Sequence, residues 1–231
     1  MEIARERVIN WKEGWLYLAG LGLTELPNLP VNLLYLDCSD NQLTNLPKTL
    51  PMCLRRIYCH NNMLTTMPDT LPESLLAIDC ANNQLTTLPN TLPLDLAMLD
   101  CSQNWLNTLP DTLPAGLIHL YCDRNKLTTL PNTLPMGLRK LECSNNCLNT
   151  IPENLPATLK WLNFKNNNLP CMEDNESIMK YVVRIKAILE KISKERIVQR
   201  CGLYFEELAK KVWHPQRVEL LMLAGVDMED M

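Results

Sequence analysis

Thiols are the side chains of this sequence best equipped for chemistry, so their number and spacing come first. The chain carries ten cysteines but only three histidines, His60, His119 and His214. Such a cysteine count in a chain with no evident leader ordinarily points to a metal site or to redox work. Six of them, however, fall 21 residues apart: Cys38, Cys59, Cys80, Cys101, Cys122 and Cys143. A zinc site draws ligands from several directions, commonly as close Cys-x-x-Cys pairs, and no such pair occurs. Neighbours in a stacked column would have Cα atoms about 4.8 Å apart, within reach of a disulfide. Both side chains would point the same way into a packed core, which makes the required dihedral hard to reach. The column therefore reads as a core layer of small hydrophobes. Cys53, Cys147, Cys171 and Cys201 lie outside it, and Cys143 with Cys147 has no matching second pair. Neither a metal nor a cofactor is expected.

Nucleophilic catalysis fares no better. His119 projects near Asp100 and Tyr121, yet nothing in the spacing selects that trio over ordinary surface composition. Seven glycines are present and none forms a phosphate-cradling loop. The chain is read as a non-enzyme.

The regular thiols are the symptom of a repeat, and the repeat is what must position everything else. One unit is LLYLDCSDNQLTNLPKTLPMC, starting at Leu33. Its first leucine recurs as Leu54, Leu75, Leu96, Leu117, Leu138 and Leu159 without an insertion. A degenerate unit precedes these, with Leu16, Leu18, Leu21, Leu23 and Leu26 where Leu36, Cys38, Asn41, Leu43 and Leu46 follow. Eight repeats are thus expected over residues 13–170, after a cap helix in 1–12 and before a helical cap or module in 171–231.

Each unit contains L-x-x-L-x-C-x-x-N-x-L, which resembles the leucine-rich-repeat pattern with cysteine at its sixth position. The suffix T-x-L-P-x-x-L-P resembles the short class found in secreted bacterial effector proteins. The resemblance covers about two thirds of the chain and implies an α/β repeat: a solenoid with a parallel concave sheet. In that class a C-terminal ubiquitin-ligase domain with a nucleophilic cysteine is common. Here only about 60 residues follow the repeats, and Cys171 and Cys201 lack a Cys-x-Asp context.

The physics of the unit agrees. Alternation at Leu36, Asp37 and Cys38 is a half-buried strand. Prolines such as Pro47 with Pro51 forbid a helix on the return segment, which should be extended or polyproline-II-like with Leu46 and Leu50 inward. Asn41, Asn62, Asn83, Asn104, Asn125, Asn146 and Asn167 form a structural ladder, their amides satisfying backbone groups of the buried turn. Leu21 stands there in the first unit, so the ladder should lack its first rung.

Outward strand positions are free of these demands. One column reads Trp15, Tyr35, Arg56, Ala77, Met98, His119, Lys140, Trp161; the next reads Tyr17, Asp37, Tyr58, Asp79, Asp100, Tyr121, Glu142, Asn163. Large aromatics and arginine dominate interface energies, so the expected binding surface comprises Tyr17, Tyr35, Asp37, Arg56, Tyr58, Asp79, Asp100, His119, Tyr121, Lys140, Glu142 and Trp161. The alternative is a solvated sheet face whose aromatics pack across strands. Arg139, Lys140, Lys160 and Lys165 outweigh Glu142 at the far end, which suits an acidic patch on a partner. Trp105 lies beyond the strand and would widen the footprint.

At the ends, residues 2–11 read as a short helix with Ile3, Val8 and Trp11 available to cover the first repeat. After the repeats, Ile178, Tyr181, Val182, Ile185, Ile188, Leu189 and Ile192 keep a helical period, with Asp174, Asn175 or Ser177 as caps. Further short helices are expected near Glu195–Arg200, Leu203–Val212 and Pro215–Gly225, packing as a bundle. The end, WHPQRVELLMLAGVDMEDM, resembles a C-terminal motif of giant DNA virus proteins through His214-Pro215, Arg217-Val218, Gly225 and Glu229-Asp230.

A net charge of −4 removes the general electrostatic case for nucleic acid. No signal-peptide core and no 18-residue apolar run occurs, so neither secretion nor a membrane span is expected. The expected location is a host cytoplasm or a virion. The leading functional expectation is a module that binds a host or viral protein through its concave sheet. The alternative is an assembly component of a virus particle that self-associates through its repeats.

Overall fold

The computed structural model describes residues 1–152, 154–170, 176 and 178–212. Eight three-residue strands alternate with irregular returns: β1 (Trp15–Tyr17), β2 (Tyr35–Asp37), β3 (Arg56–Tyr58), β4 (Ala77–Asp79), β5 (Met98–Asp100), β6 (His119–Tyr121), β7 (Lys140–Glu142) and β8 (Trp161–Asn163). They form one parallel sheet in chain order. Register follows the repeat without slippage: Leu36 pairs with Ile57, Ile57 with Ile78, and so on to Leu141 with Leu162. Because each unit has the same length, every strand presents the same side chains to the same layer.

Inside, leucines and thiols stack in columns. Leu33, Leu36, Cys38, Leu43 and their equivalents in the following units are buried, most of them completely, except that Leu159 and Leu162 of the last unit are half-buried. Among the described residues no helix interrupts the returns between β1 and β8, as the proline pairs require. Leu46 and Leu50 turn inward there and are buried. Phe164 fills the thiol position of the last unit and remains buried.

One feature of the turn was not anticipated. The residue before each ladder asparagine holds a left-handed backbone: Asp40, Asn61, Asn82, Gln103, Arg124, Asn145 and Asn166 all lie at φ between 50° and 56°. That twist swings the chain out of the strand and aims the next residue's amide into the core. Asparagine and aspartate tolerate it best, because their short polar side chains bond locally.

Helix α1 (Glu2–Asn10) precedes the sheet as expected, but it buries a different residue. Ala4 is fully buried, whereas Ile3 is 57% exposed and Val8 only partly covered. Helical periodicity alone could not choose the face, since α1 is weakly amphipathic; a small side chain allows the closest approach.

The chain divides into two compact units, Met1–Ile178 and Met179–Met231. The second contains most of α2 (Ile178–Val212), one continuous helix of 35 residues. This corrects the expectation of separate helices near Glu195–Arg200 and Leu203–Val212. Gly202 costs a helix interior only about 1 kcal/mol, and no proline lies between Pro170 and Pro215 to stop it. Along α2, Lys194 pairs with Glu190 at 2.7 Å, one turn apart. The helix-cap candidates Asp174, Asn175 and Ser177, the Pro215–Gly225 segment and the motif at His214 lie outside the described residues.

Candidate protein interface on the sheet

The ladder holds the sheet face rigid. Each asparagine amide from Asn62 to Asn167 donates to the carbonyl three residues back and to the equivalent carbonyl of the preceding unit. For Asn104 these acceptors are Cys101 at 3.1 Å and Cys80 at 3.0 Å, with Ser102 at 3.0 Å sharing the protons. Its Oδ1 accepts the Leu85 N–H at 2.9 Å. Asn41 begins the series by accepting from Leu21 and Leu23 of the first unit. The last rung, Asn167, bonds Leu148, Cys143 and Phe164 in the same way. Backbone groups that would otherwise be orphaned in a dry interior are thereby satisfied.

The thiol column runs alongside. Cys38, Cys59, Cys80, Cys101, Cys122 and Cys143 are all free and fully buried. Burial pushes the Cys38 thiol up to about 12, aided by the neighbouring Asp37 carboxylate. It raises the other five in the same direction. Several donate weakly to a carbonyl of the next unit, as Cys80 Sγ does to Asp100 at 3.2 Å. Burial of this kind disfavours the thiolate at neutral pH. Among the described residues no cluster of His, Cys, Asp and Glu has the geometry of a metal site.

On the solvent side of the sheet the two outward columns come together as side-chain clusters. Near β1, the Trp15 ring stacks on Tyr17 at 5.9 Å and Tyr35 at 5.3 Å, and meets Tyr58 at 4.9 Å. The Arg56 guanidinium lies 6.0 Å over Tyr35. Near β7, Lys140 Nζ sits 4.8 Å over Tyr121 and 5.5 Å over Trp161. Trp161 donates from Nε1 to Glu142 at 3.2 Å, and His119 tilts against Tyr121 at 6.5 Å. Tyr17 and Trp161 remain 56% and 54% exposed. Between the clusters lies an acidic stretch around Asp79, Asp100 and Asp123. Ala77, though in an outward column, is buried among its larger neighbours.

The acids have a second occupation that spacing alone did not reveal. Asp37 Oδ1 accepts from the backbone and hydroxyl of Ser39, and Asp100 does the same for Ser102. Asp79 accepts from the Ala81 N–H, and Glu142 from the Ser144 hydroxyl. These carboxylates brace the strand ends two residues on, so part of their presence is structural. Asp79 Oδ2 also lies 3.0 Å from His60 Nδ1, an ion pair when the imidazole is protonated. Partial burial raises the Asp79 carboxyl above its usual range, and burial with nearby Glu142 raises Asp123. The pattern that would have exposed the bracing role is the serine two residues beyond Asp37 and Asp100.

This geometry, short parallel strands in one register over a ladder of buried asparagines, defines a leucine-rich-repeat solenoid. Residues 32–53 match the family model described as Leucine Rich Repeat. The solved leucine-rich-repeat domain of a Shigella effector is 37% identical, with 66% of this chain and 69% of that one covered and a TM-score of 0.60. YopM from Yersinia enterocolitica is 33% identical over 67% of this chain, with a TM-score of 0.53, and the match takes in only 38% of YopM. A leucine-rich-repeat protein of Leptospira interrogans, 24% identical over 66% of this chain and 54% of its own, shares the fold at a TM-score of 0.52. No curated protein matches. The chain belongs to the leucine-rich-repeat family. None of these likenesses supports the giant-virus resemblance of the C-terminal motif.

Proposed function

We propose that this protein is a binding module that engages a protein partner through the concave face of its sheet, without catalysing a reaction. Solenoids of stacked repeats characteristically present extended surfaces for protein recognition. The single observation that carries the assignment is the pairing of half-buried and exposed aromatic rings with cations at both ends of one sheet face. Trp15, Tyr35, Tyr58 and Arg56 form one anchor; Tyr121, Lys140 and Trp161 form the other. Such side chains give large, rigid contact areas at low entropic cost, and scaffold positions have no need of them.

Affinity capture from the native cellular setting with the full chain as bait, followed by mass spectrometry, identifies the partner. The double variant Tyr58→Ala, Tyr121→Ala should lose that partner while its Tm stays near that of the parent. Undiminished capture by the double variant would remove the site from this face. Self-association is a separate outcome, read from the mass of the purified protein in solution.

A further inference from the structure

The left-handed position ahead of each ladder asparagine carries a second, exposed row of amides. Asn61 donates to Asp40 and Asn82 to Asn61, both at 2.7 Å, and Asn166 donates to Asn145 at 2.8 Å. The row is broken in two consecutive units, where Gln103 and Arg124 hold φ of 53°. Neither residue favours that backbone, and neither bridges to its neighbours in the row. Two residues further along is a variable position, Gln42, Met63, Gln84, Cys147 and Asn168 in the other units; in these two units it holds Trp105 and Lys126. Trp105 is 49% exposed, and Lys126 Nζ lies 5.6 Å over its ring. The two breaks in the amide row therefore fall beside an exposed ring and its cation on one edge of the sheet, and both sit on backbone that disfavours them. Strain retained in this way concentrates where side chains are wanted for contact.

We propose that Gln103, Trp105, Arg124 and Lys126 form a second contact edge, which takes a partner-protein segment offering a carboxylate beside an apolar side chain. The guanidinium of Arg124 supplies a fork matched to a carboxylate. The Trp105 ring supplies a flat apolar platform, and Lys126 adds a second cation above it. A polyanion such as nucleic acid is disfavoured here. Asp100, Asp123 and Glu142 border the edge and the whole chain carries a net charge of −4, which opposes a run of phosphates far more than the single carboxylate that the Arg124 fork can hold. This edge uses none of the residues on which the concave-face assignment rests, so either can fail without the other.

The test selects a phage-displayed library of short random peptides on the immobilised full chain. Arg124→Asn, Trp105→Ala and the Tyr58→Ala, Tyr121→Ala variant are screened in parallel. The expected result is a peptide group rich in Asp or Glu next to Leu or Phe. Its affinity should fall about tenfold or more in both Arg124→Asn and Trp105→Ala, and stay unchanged in the tyrosine variant. Arg124→Asn should also raise Tm, so that lost binding cannot be assigned to unfolding. Enrichment of basic peptides, no enrichment, or indifference of the acidic group to both edge variants would overturn the proposal. Oligothymidylate binding that disappears in Arg124→Asn would overturn it in favour of nucleic acid.

Discussion

Asn104 stands at the centre of the ladder, and replacing it tests whether that ladder holds the repeats in register. The side chain is nearly inaccessible. Its two amide protons are shared among the carbonyls of Cys80, Cys101 and Ser102, and its oxygen accepts the Leu85 N–H. Two donated bonds and one accepted bond are the most this geometry allows. Asn104→Ala removes all three and strands the Leu85 N–H in a dry interior, while the Cys80 and Cys101 carbonyls keep one donor each, from Asn83 and Asn125. At about 1 kcal/mol for each of the three bonds, with a further penalty of about 1–3 kcal/mol for the stranded Leu85 N–H, the loss is about 4–6 kcal/mol. Domains of this kind are stable by on the order of 10 kcal/mol, so the change should consume a large share.

Asn104→Asp sharpens the test. It keeps the acceptor for Leu85 but removes both donors and aims a carboxylate at three carbonyl oxygens. It should therefore destabilise more than alanine, although it is the closer isostere. Gln42→Ala, exposed and one residue past a rung, should cost no more than about 0.5 kcal/mol. Urea unfolding followed by circular dichroism reads all three. If Asn104→Ala and Asn104→Asp both fall within about 1 kcal/mol of the parent, the ladder reasoning is wrong.

Other consequences can be measured directly. Gln103→Asn should gain about 1 kcal/mol by relieving the left-handed position, seen as a higher urea midpoint; an unchanged or lower midpoint counts against strain there. Iodoacetamide applied to the native protein and mapped by mass spectrometry should label exposed Cys53 and Cys147 but spare the six column thiols until the chain unfolds. Rapid native labelling at Cys101 would reverse that expectation. Asp79 and Asp123 have raised carboxyl pKa values in the fold, so the native state holds more protons than the unfolded one in the window above about pH 4. Their contribution to stability should therefore be intact below the unfolded value and decline as pH rises through the folded values. Asp79→Asn and Asp123→Asn should each flatten that decline in urea midpoints taken across pH; an unaltered slope would remove the effect.

Much of the fold was legible because one constraint repeats. A leucine every 21 residues, a proline pair in every return and an asparagine after every strand but the first leave a single stacking solution. The degenerate first unit could be placed from Leu16, Leu18 and Leu23 alone. The helices were harder. In α1 the buried residue is Ala4, since the larger Ile3 and Ile9 point to solvent. In α2 the glycine at 202 suggested a stop that tertiary context did not impose. Glycine weakens a helix without forbidding it, whereas proline does both, and only the proline rule transferred cleanly from sequence to structure.

The sheet face shows why the candidate site was less legible than the scaffold. Residue type identified the outward columns but could not separate side chains kept for contact from those kept for the fold. Asp37 and Asp100 look like recognition groups until their bonds to Ser39 and Ser102 are seen. Tyr58 and Tyr121 occupy the same column as these acids, but their rings pack against Trp15 and Lys140 across the sheet. The distinction is physical: a short carboxylate reaches the backbone two residues on, while a phenol ring projects beyond it. Within that column the aromatics are therefore the residues to mutate first for binding, and the acids the ones to mutate for stability. A screen in which Asp37→Asn and Asp100→Asn impaired partner capture as severely as the paired tyrosine change, at unchanged Tm, would erase that division.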